Sequence, residues 1–395
     1  MALLVGVTVC NLRLLAPRGP KAAVAQLRFL ERALADGAAE DMQRWFPEGR
    51  VFTWALYGLA SARTALLFPR DDPRRARLLA ASGAAVDTVL SDRARSTFVR
   101  DMSPEWGAFY TSWSLYAAAE HLRASGASDS ALVERFRREA DRLAAALEAS
   151  PTPFLHSYPG SSWPADTSVG VAALAIHDRI LPARYEAVVK GWVARARALT
   201  HPDLGALSHT ADPRTGAPGE VRGSSLALMA RVLVDVDPDF AREQYRVLRD
   251  RFVRARWGAV GVLEYADGRS FGGDVDSGPL VLGYSGPALV VGMAAARANG
   301  DARLGRILLG VTELVGVPWG VGSRRYAAGL VPVGDAFIAW ARSGPPTPDT
   351  GWDRRLRWWW PVPVHLVSLL VALRAWVVLR RGARDRSRAR SVTGP

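Results

Sequence analysis

Cysteine and histidine are both scarce in this chain of 395 residues, and each shortage argues against a class of site. Cys10 is the single cysteine, so an internal disulfide, a zinc site built from several cysteines and a CxxC redox pair are excluded. The six histidines include no pair at i and i+4, so no histidine metal site is expected. A GxSxG elbow, a P-loop and a dinucleotide fingerprint are also missing. We therefore predict no metal and no cofactor.

Lysine is nearly absent as well, since Lys21 and Lys190 are the only two and arginine supplies the rest of the positive charge. From Asp353 to Pro395 ten arginines face two aspartates, which accounts for +8 of the net charge of +13. The preceding part of the chain has no basic stripe interleaved with aromatic residues, the pattern typical of nucleic-acid binding. We therefore predict no nucleic-acid partner.

Strand-like alternation is scarce, whereas apolar residues recur at steps of three and four along most of the chain. With 49% apolar residues, the chain can bury a large core. Asp237 before Pro238, and the turns at Asn299 to Asp301 and Ser277 to Pro279, provide helix caps and breakers. Helices are predicted at Ala22–Asp36, Val51–Leu67, Pro73–Leu90, Trp106–Ala124, Asp129–Ala149, Asp166–Ile180, Ala183–Leu199, Gly223–Val234, Pro238–Arg254, Pro279–Asn299, Ala302–Val315 and Asp335–Arg342.

The connections between these helices are more informative than the helices. Loops rich in glycine, proline, aromatic and charged residues recur at intervals of roughly 50 to 60 residues. They centre near Trp45, Trp106, Ser161, Pro213, Phe271 and Arg325. Because consecutive antiparallel helices place every second loop at the same end, the six loops should converge. We predict an all-α fold, an (α/α)6 toroid of six helical hairpins, with its site at the loop-rich end.

The loop from His156 to Asp166 (HSYPGSSWPAD) is short, aromatic and stiffened by two prolines. We interpret it as a wall that presents Tyr158 and Trp163 to a ligand, with Asp166 as a catalytic residue. The ordinary alternative is a helix start, in which Ser162 caps the helix and the aspartate meets its positive end.

The loop from Glu264 to Pro279 (EYADGRSFGGDVDSGP) contains four carboxylates and four glycines. Asp274 and Asp276 are the catalytic candidates, and one of them is expected to carry a proton. One carboxylate could stand at the mouth while the other fixes the helix start, and repulsion between the two would raise one pKa and provide an acid beside a base. Glu264 and Tyr265 are predicted to contact the substrate. The alternatives are a capped turn, or part of a calcium site whose spacing falls short of an EF-hand loop.

The other loops supply further candidates for substrate binding. These are Trp106 and Tyr110, beside Glu105; Arg222, before Gly223; and Arg325 and Tyr326, beside Arg324. Such residues more often lie on the surface or in packing, so the predicted convergence of the loops is the reason to include them.

The segment from Trp358 to Leu379 has about the length that spans a hydrocarbon core of roughly 30 Å. Tryptophans near both ends are typical of interfacial anchors, and Arg374 would have to reach the headgroups. The basic tail that follows predicts a cytoplasmic C-terminus and an extracytoplasmic domain, at the cell surface or in the periplasm. The alternative is an amphipathic helix packed on the domain.

The predicted organisation therefore has five parts. They are an apolar N-terminal segment at 1–21, the toroid at 22–342, a proline-rich linker at 343–357, the transmembrane helix at 358–380 and a basic tail at 381–395. The N-terminal segment is interpreted either as the remnant of an anchor or as a plain helix.

Several short motifs, taken in succession, resemble the linalool dehydratase/isomerase family of (α/α)6-barrel proteins over roughly residues 51 to 342. The motifs are Tyr57 to Ala60 (YGLA), Pro202 to Ala206 (PDLGA), Pro213 to Ala217 (PRTGA), Asp237 to Phe240 (DPDF), Asp274 to Asp276 with Gly278, and Arg325 with Tyr326. The resemblance implies a lipid-like or terpenoid substrate. The family uses two cysteines and a histidine in proton transfer, and this chain has Tyr158, Asp166 and Ala108 at about those positions.

Three functions follow from these observations. The first is a membrane-anchored enzyme that uses carboxylates for acid/base chemistry on an apolar or terpenoid-like substrate, as a lyase, isomerase or hydrolase. The second is a glycan-active hydrolase or lyase. The third is a non-catalytic binding or assembly protein, in which arginines such as Arg222 or Arg269 would neutralise the aspartates and leave no perturbed pKa. The ligand is thus a small molecule or a glycan.

Overall fold

The structure is a computed structural model that describes residues 19–256, 259–345, 347–352, 362 and 365–378. Helices account for most of these residues. In chain order they are α1 (Pro20–Ala35), α2 (Ala38–Trp45), α3 (Gly49–Ala65), α4 (Pro73–Val89), α5 (Asp92–Arg95), α6 (Gly107–Ser125), α7 (Ser130–Ala149), α8 (Pro164–Ile180), α9 (Glu186–Ala198), α10 (Gly223–Val232), α11 (Pro238–Val247), α12 (Gly286–Ala298), α13 (Ala302–Val315) and α14 (Pro332–Arg342).

Local sequence explains where many of these helices begin. The side chains of Asp72, Asp129, Asp237 and Asp301 each accept a hydrogen bond from a backbone N–H in the first turn of α4, α7, α11 and α13. Such caps satisfy donors that the helix leaves free. The predicted caps at Asp237 and Asp301 are therefore confirmed.

Six of the helices form a closed inner ring. In order around the ring they are α3, α6, α8, α10, α12 and α14; each contacts the next, and α14 contacts α3. The outer helices α1, α4, α7, α9, α11 and α13 pack behind them, and α1 lies against both α14 and α3. These contacts confirm the predicted toroid. Because each inner helix follows an outer one, the six inner helices run in the same direction.

The two ends of the ring differ in the length of their loops. The long loops lead into the inner helices, at 36–48, 90–106, 150–163, 199–222, 248–285 and 316–331; α2 and α5 lie within the first two of them. We call the end formed by these loops and by the N-termini of the inner helices the mouth. The short turns at 66–72, 126–129, 181–185, 233–237 and 299–301 lie at the other end, which we call the base.

The core lies between and within the two rings. Nearly every residue of α6 from Gly107 to Leu122 is buried, as expected for a helix surrounded on all sides. Gly170 of α8 faces Ser112 of α6 so closely that an added Cβ would lie 2.4 Å from the serine hydroxyl. A larger residue at position 170 would therefore push two inner helices apart.

The loop at 248–285 departs from the predicted helices. The predicted helix Pro238–Arg254 is α-helical to Val247 and continues as a π-helix over Leu248–Phe252. The chain then forms the antiparallel strands β1 (Val253–Arg256) and β2 (Ala259–Val262). The predicted start of α12 at Pro279 is also wrong. Leu282 and Gly283 have φ values of 55° and 82°, which a helix cannot contain, and Ser285 caps the true start.

The chain beyond α14 stays close to the base. Thr350 donates from its N–H to the carbonyl of Gly300, and the indole of Trp352 donates to Asn299 at 2.8 Å and packs edge-on against Tyr245. The predicted linker is thus packed on the domain over 343–345 and 347–352. Residues 1–18, 353–361, 363–364 and 379–395 lie outside the described residues, and with them most of the N-terminal segment, part of the predicted membrane span and most of the basic tail. Within the described part of the chain, which includes a helix at 365–378, none of the helices combines the length and hydrophobicity needed to cross a membrane.

Candidate functional site in the mouth of the toroid

Asp166 lies in the first turn of α8, directly below the mouth. Its side chain is buried, with 8% exposure, and accepts a hydrogen bond from the indole of Trp113 at 3.3 Å. Burial raises the pKa of Asp166 to about 7, although hydrogen bonds from Ser157 and Trp113 oppose the shift. Near neutral pH the carboxyl group therefore exists in both protonated and ionised forms.

Tyr158 and Glu48 join Asp166 from two other loops. The phenol of Tyr158 donates a hydrogen bond to Glu48, which stands immediately before α3. Burial raises the pKa of Tyr158, and the charges of Asp166 and Glu48 raise it further. The phenol therefore stays protonated and acts as a donor. Glu48 was not among the predicted residues, and its position directly before an inner helix was the signal that could have found it.

Asp276 faces the same space from the loop at 248–285. Its side chain is 55% exposed to water, and one carboxylate oxygen lies 3.7 Å from Nε2 of His209. Asp276 sits deep enough in the concave mouth that burial raises its pKa to about 6, and Asp274 and Glu48 add to the shift. Asp276 is thus open to solvent while titrating close to neutrality.

Asp274 has a different environment from Asp276. Arg222 donates to its two carboxylate oxygens at 2.7 and 2.8 Å, a bidentate geometry. Hydrogen bonds from Arg222 lower the pKa of Asp274 to about 2. The same carboxylate accepts the N–H groups of Asp276 and Ser277, as in a capped turn. Asp274 therefore stays ionised in its ion pair, which argues against a role for it as proton carrier and leaves Asp276 as the candidate of the two.

Arg222 links Asp274 to two further groups, Glu264 and His209. It donates to the buried carboxylate of Glu264 at 2.7 Å, which also accepts the hydroxyl of Ser224 at 2.7 Å. Its side chain is 6% exposed and lies 3.1 Å from Nε2 of His209. Glu264 and Arg222 thus build the floor of the loop, and neither is free to contact a substrate as predicted.

His209 is a second residue that the sequence did not single out. Burial lowers the pKa of His209 to about 4, and the nearby Arg222 lowers it further. The neutral ring accepts from Arg222 at Nε2, so its Nδ1 carries the proton and donates to Ser225 at 2.7 Å. His209 lies between two motifs of the family resemblance, Pro202 to Ala206 and Pro213 to Ala217, and that position is the signal that could have found it.

Aromatic rings form one wall of the mouth. Tyr158 stacks on Phe109 at a centroid distance of 6.1 Å, and half-buried Trp163 meets Tyr158 edge-on at 5.4 Å. Trp106, at the start of α6, lies under the guanidinium of Arg100 at 5.7 Å. Tyr158 and Trp163 therefore stand beside Asp166, as the sequence predicted for this loop.

No protein-family model matches the sequence, and no curated protein is significantly similar to it. Similar solved structures include a glycoside hydrolase of family 105 from C. acetobutylicum, with a TM-score of 0.44 and 11% identity over 73% of this chain and 92% of that chain. A polysaccharide lyase is similar with a TM-score of 0.36 and 10% identity, over 73% of this chain and 71% of that chain. Both scores are low, so the toroid is established by the helix contacts of this chain itself. Nothing in these comparisons supports the finer assignment to the linalool dehydratase/isomerase family.

Two other predicted residues lie near the mouth but are occupied by packing. Tyr110 is buried and donates from its phenol to the backbone carbonyl of Val89 at 3.0 Å. Tyr265 is also buried and donates to the carbonyl of Gly272 at 2.7 Å, which holds the loop in shape. Both hydroxyl groups are therefore committed to the protein, which argues against their predicted role in substrate binding.

Tyr326 and Arg325 lie apart from the carboxyl groups of the mouth. The buried phenol of Tyr326 donates to Glu313 at 2.7 Å and accepts from Arg342 at 2.8 Å, between α13 and α14. Arg325 is half-buried and lines a hollow against α1 together with Phe29. The loops converge as predicted, but these two side chains point away from the shared space.

The mouth thus combines groups suited to proton transfer. Asp166 and Asp276 titrate near pH 7 and 6, and each pKa is raised by other carboxylates. Two such groups in one cleft can serve as an acid and a base at neutral pH. Among the described residues, no cluster of three or more His, Cys, Asp or Glu side chains is arranged to hold a metal ion.

Proposed function

We propose that the protein is an enzyme that cleaves a glycan by acid/base chemistry in the mouth, as a hydrolase or a lyase. The observation that carries this proposal is the pair of carboxyl groups with raised pKa values, Asp166 in its buried position and Asp276 facing water. One can hold a proton near neutral pH while the other is ionised.

In the hydrolytic form, protonated Asp166 donates its proton to the glycosidic oxygen as the bond from that oxygen to the anomeric carbon breaks. Asp276 takes a proton from a water molecule whose oxygen bonds to the same carbon, so that water is added across the bond. In the lyase form, the base removes a proton from the carbon next to a uronic-acid carboxyl group, and the leaving oxygen receives the proton of Asp166. The product then contains a carbon–carbon double bond.

The neighbouring groups support a polar, ring-shaped substrate. Trp163 can stack on the apolar face of a sugar, and the Tyr158–Glu48 hydrogen bond fixes the wall beside Asp166. An apolar molecule would instead cover the exposed carboxyl group of Asp276 without offering it a hydrogen-bond partner, which costs at least roughly 1–3 kcal/mol. This polarity favours a glycan over the terpenoid-like substrate that the family resemblance implies.

The ion pairs of the carboxyl groups also favour an enzyme over a binding protein on the same scaffold. Arg222 neutralises Asp274, as a non-catalytic protein would require, but no ion pair to Asp166 exists among the described residues. Arg269 pairs with Glu220 and Asp267, and neither Asp166 nor Asp276 is among its ion-pair partners in the described residues. A perturbed carboxyl group without a counter-ion is the feature expected of an active site.

Product analysis on a glycan panel tests this proposal. The purified chain is incubated with neutral and uronic-acid-containing polysaccharides, and products are followed by reducing-end release, ultraviolet absorbance and mass spectrometry. A gain of about 18 mass units, the mass of one water molecule, would identify hydrolysis. A product that absorbs ultraviolet light and has gained no water would identify a lyase. The rate should fall below about pH 6, as Asp276 is protonated, and above about pH 7, as Asp166 loses its proton. Turnover of apolar substrates but of none of the glycans would refute the proposal.

We also propose that the segment at 358–379 holds the domain at a membrane, with the domain extracytoplasmic. The sequence pattern carries this second proposal, and the described helix at 365–378 adds exposed apolar side chains, including Leu366, Leu370 and Leu373 at 56%, 63% and 50%. Full-length chain should fractionate with membranes, and a chain ending at residue 352 should not. Equal release of both into the soluble fraction would contradict the proposal.

A further inference from the structure

The base of the toroid concentrates arginine. Each of the six inner helices has an arginine in its last turn: Arg63, Arg123, Arg179, Arg231, Arg297 and Arg342. A cation near a helix C-terminus interacts favourably with the helix dipole, which accounts for each arginine singly. The helix dipole does not explain why several of these arginines line the same cavity.

That cavity has a volume of about 150 Å³. Arg63, Arg123, Arg231 and Arg297 line it together with Trp340, and the chain that follows α14 forms part of its wall. The volume is roughly five times the share of one water molecule in the liquid, so the cavity can hold a small ligand. It lies at the opposite end of the inner helices from the mouth.

Positive charge at the base exceeds the carboxylates that contact it. Glu120 pairs with Arg63 at 2.9 Å and also with Arg123. Asp235 pairs with Arg123, Arg179 and Arg231 at 3.1, 3.0 and 3.3 Å. Two carboxylates therefore serve four of the guanidinium groups.

Arg297 makes the imbalance larger. Among the described residues no carboxylate lies within ion-pair distance of Arg297, which donates to the backbone carbonyl of Gly344 at 3.1 Å. Burial lowers the pKa of Arg297 to about 10, and the charges of Arg63, Arg342 and Arg231 lower it further. At neutral pH the guanidinium is still protonated, so its repulsion by the other arginines persists.

Several donors around the cavity lack acceptors. Nε of Arg63, Nε of Arg123 and Nε1 of Trp340 are buried and have no hydrogen-bond partner within the described residues. Trp340 itself is 2% exposed. A buried N–H without an acceptor is costly, and a charged one more so. A ligand with negative charge in the cavity would offset the excess positive charge of the guanidinium groups to which two of these donors belong.

We propose that the base cavity is a binding site for a phosphate group, with Arg297, Arg63 and Arg231 as its main ligands. Guanidinium groups match phosphate oxygens in charge and in the spacing of their N–H donors. A dianion balances the excess charge better than chloride does. The site is separate from the glycan chemistry proposed for the mouth and does not depend on it.

Thermal unfolding and calorimetry of the full chain test the site with inorganic phosphate as the probe. The unfolding midpoint of the wild-type protein should rise with phosphate concentration relative to chloride at equal ionic strength and pH. Arg297→Met should bind phosphate about 10- to 100-fold more weakly, because it loses charged hydrogen bonds. In chloride its midpoint should equal or exceed that of the wild type, since an unbalanced charge is removed.

Arg195→Met is the matched control. Arg195 also lies in the last turn of a helix and donates to the carbonyls of Leu147 and Ser150 at 3.2 and 2.8 Å, but it does not line the cavity. Its variant should keep the full response to phosphate, and Arg297→Lys should retain part of it. The same response in wild type, Arg297→Met and Arg195→Met would reduce the effect to general salt stabilisation and overturn the proposal. The proposal would also be overturned if Arg297→Met unfolded at a lower temperature than the wild type by the same amount in chloride and in phosphate.

Repeating the binding measurement with a hexose monophosphate shows whether the bound phosphate group belongs to a phosphorylated metabolite or is the free anion. Tighter binding of the ester than of inorganic phosphate would assign the site to a phosphorylated metabolite. Equal or weaker binding of the ester would assign it to the free anion.

Discussion

Asp166 lies in the first turn of an inner helix at the mouth, and Arg63 lies in the last turn of another at the base. Because all six inner helices run in the same direction, their positive ends meet at the mouth and their negative ends at the base. An arginine in the last turn of every inner helix suits the negative ends at the base, and Asp166 suits the positive end at the mouth. The two ends nevertheless differ in what their charge can do.

At the mouth the charge can be switched. Burial raises the pKa values of Asp166 and Asp276 to about 7 and 6, so both groups change protonation near neutrality. At the base the charge is fixed, since the pKa of Arg297 is lowered only to about 10. A titrating pair suits proton transfer, and a set of permanent cations suits binding of an anion.

Asp166→Asn should have the largest effect, because it would remove the switchable charge from the mouth. We expect the turnover number to fall by about 10²- to 10⁴-fold, the usual contribution of a positioned acid or base. Steady-state kinetics on the substrate found in the glycan panel measures the change, with circular dichroism to verify folding.

Asp335→Asn is the matched control for that variant. Asp335 lies in the first turn of inner helix α14, and burial raises its pKa to about 7 as well. Its carboxylate accepts from the N–H of Tyr326 at 2.9 Å, away from the carboxyl groups of the mouth. The variant should keep wild-type turnover. An equal loss in both variants would mean that any buried carboxyl group with a raised pKa has this effect, and that the place of Asp166 beside Tyr158 and Asp276 does not explain the result.

Arg222→Met should come next, because it removes the cation that pairs with both Asp274 and Glu264. Loss of one partner from a buried ion pair typically costs about 3–5 kcal/mol of unfolding free energy. Arg269→Met is the comparison: that arginine also contacts two carboxylates, but these are 53% and 59% exposed, and the cost should be at most about 1 kcal/mol. Denaturant unfolding measures both. Similar losses of unfolding free energy in the two variants would show that the contacts of Arg222 with Asp274 and Glu264 contribute no more to stability than exposed ion pairs do.

The smallest expected effect is on the pH dependence of stability through Asp335. Its folded-state pKa of about 7 lies above the value of about 3.9 in an unfolded chain, so its protonated form is favoured by folding. The stability that this preference contributes is complete below about pH 4 and is lost as pH rises to about 7.

Asp335→Asn imitates the protonated group and cannot ionise. The variant should match the wild type near pH 4 and exceed its unfolding free energy by about 1–3 kcal/mol near pH 8. Urea unfolding at both pH values measures the difference, and Asp239→Asn, at an exposed position, should show none. A constant difference at the two pH values would contradict the assigned pKa.

The ring itself was predictable from sequence, for identifiable physical reasons. Helical periodicity marked the inner and outer helices, and aspartate caps such as Asp237 marked their starts. The start of α12 was misplaced because Pro279 is a common first residue of helices, while the positive φ of Leu282 depends on how the loop folds back. Local patterns therefore identify elements better than they identify their ends.

The site was only partly predictable because its members are far apart in sequence. Asp166, Tyr158 and Trp163 were found together, since one short loop carries all three. Glu48 and the cavity arginines were missed, because nothing near Glu48 or Arg297 in the chain reveals which residues face them across the ring. The arginines of the base were not predicted as a cluster, because arginine is abundant along the whole chain and composition gives no reason to select individual arginines.

The packing of α1 against α14 gives the ring a seam. Elsewhere in the ring a short turn at the base connects each inner helix to the next outer helix. Between α14 and α1 no such turn exists among the described residues, and the two helices are held by contacts that include the hydrogen bond from Gln26 to the carbonyl of Asp335 at 2.9 Å. The order of helices around the ring has no intrinsic first member. A circular permutant that joins residue 342 to residue 20 through a short linker and opens the turn at 126–129 should therefore keep the toroid while moving the seam.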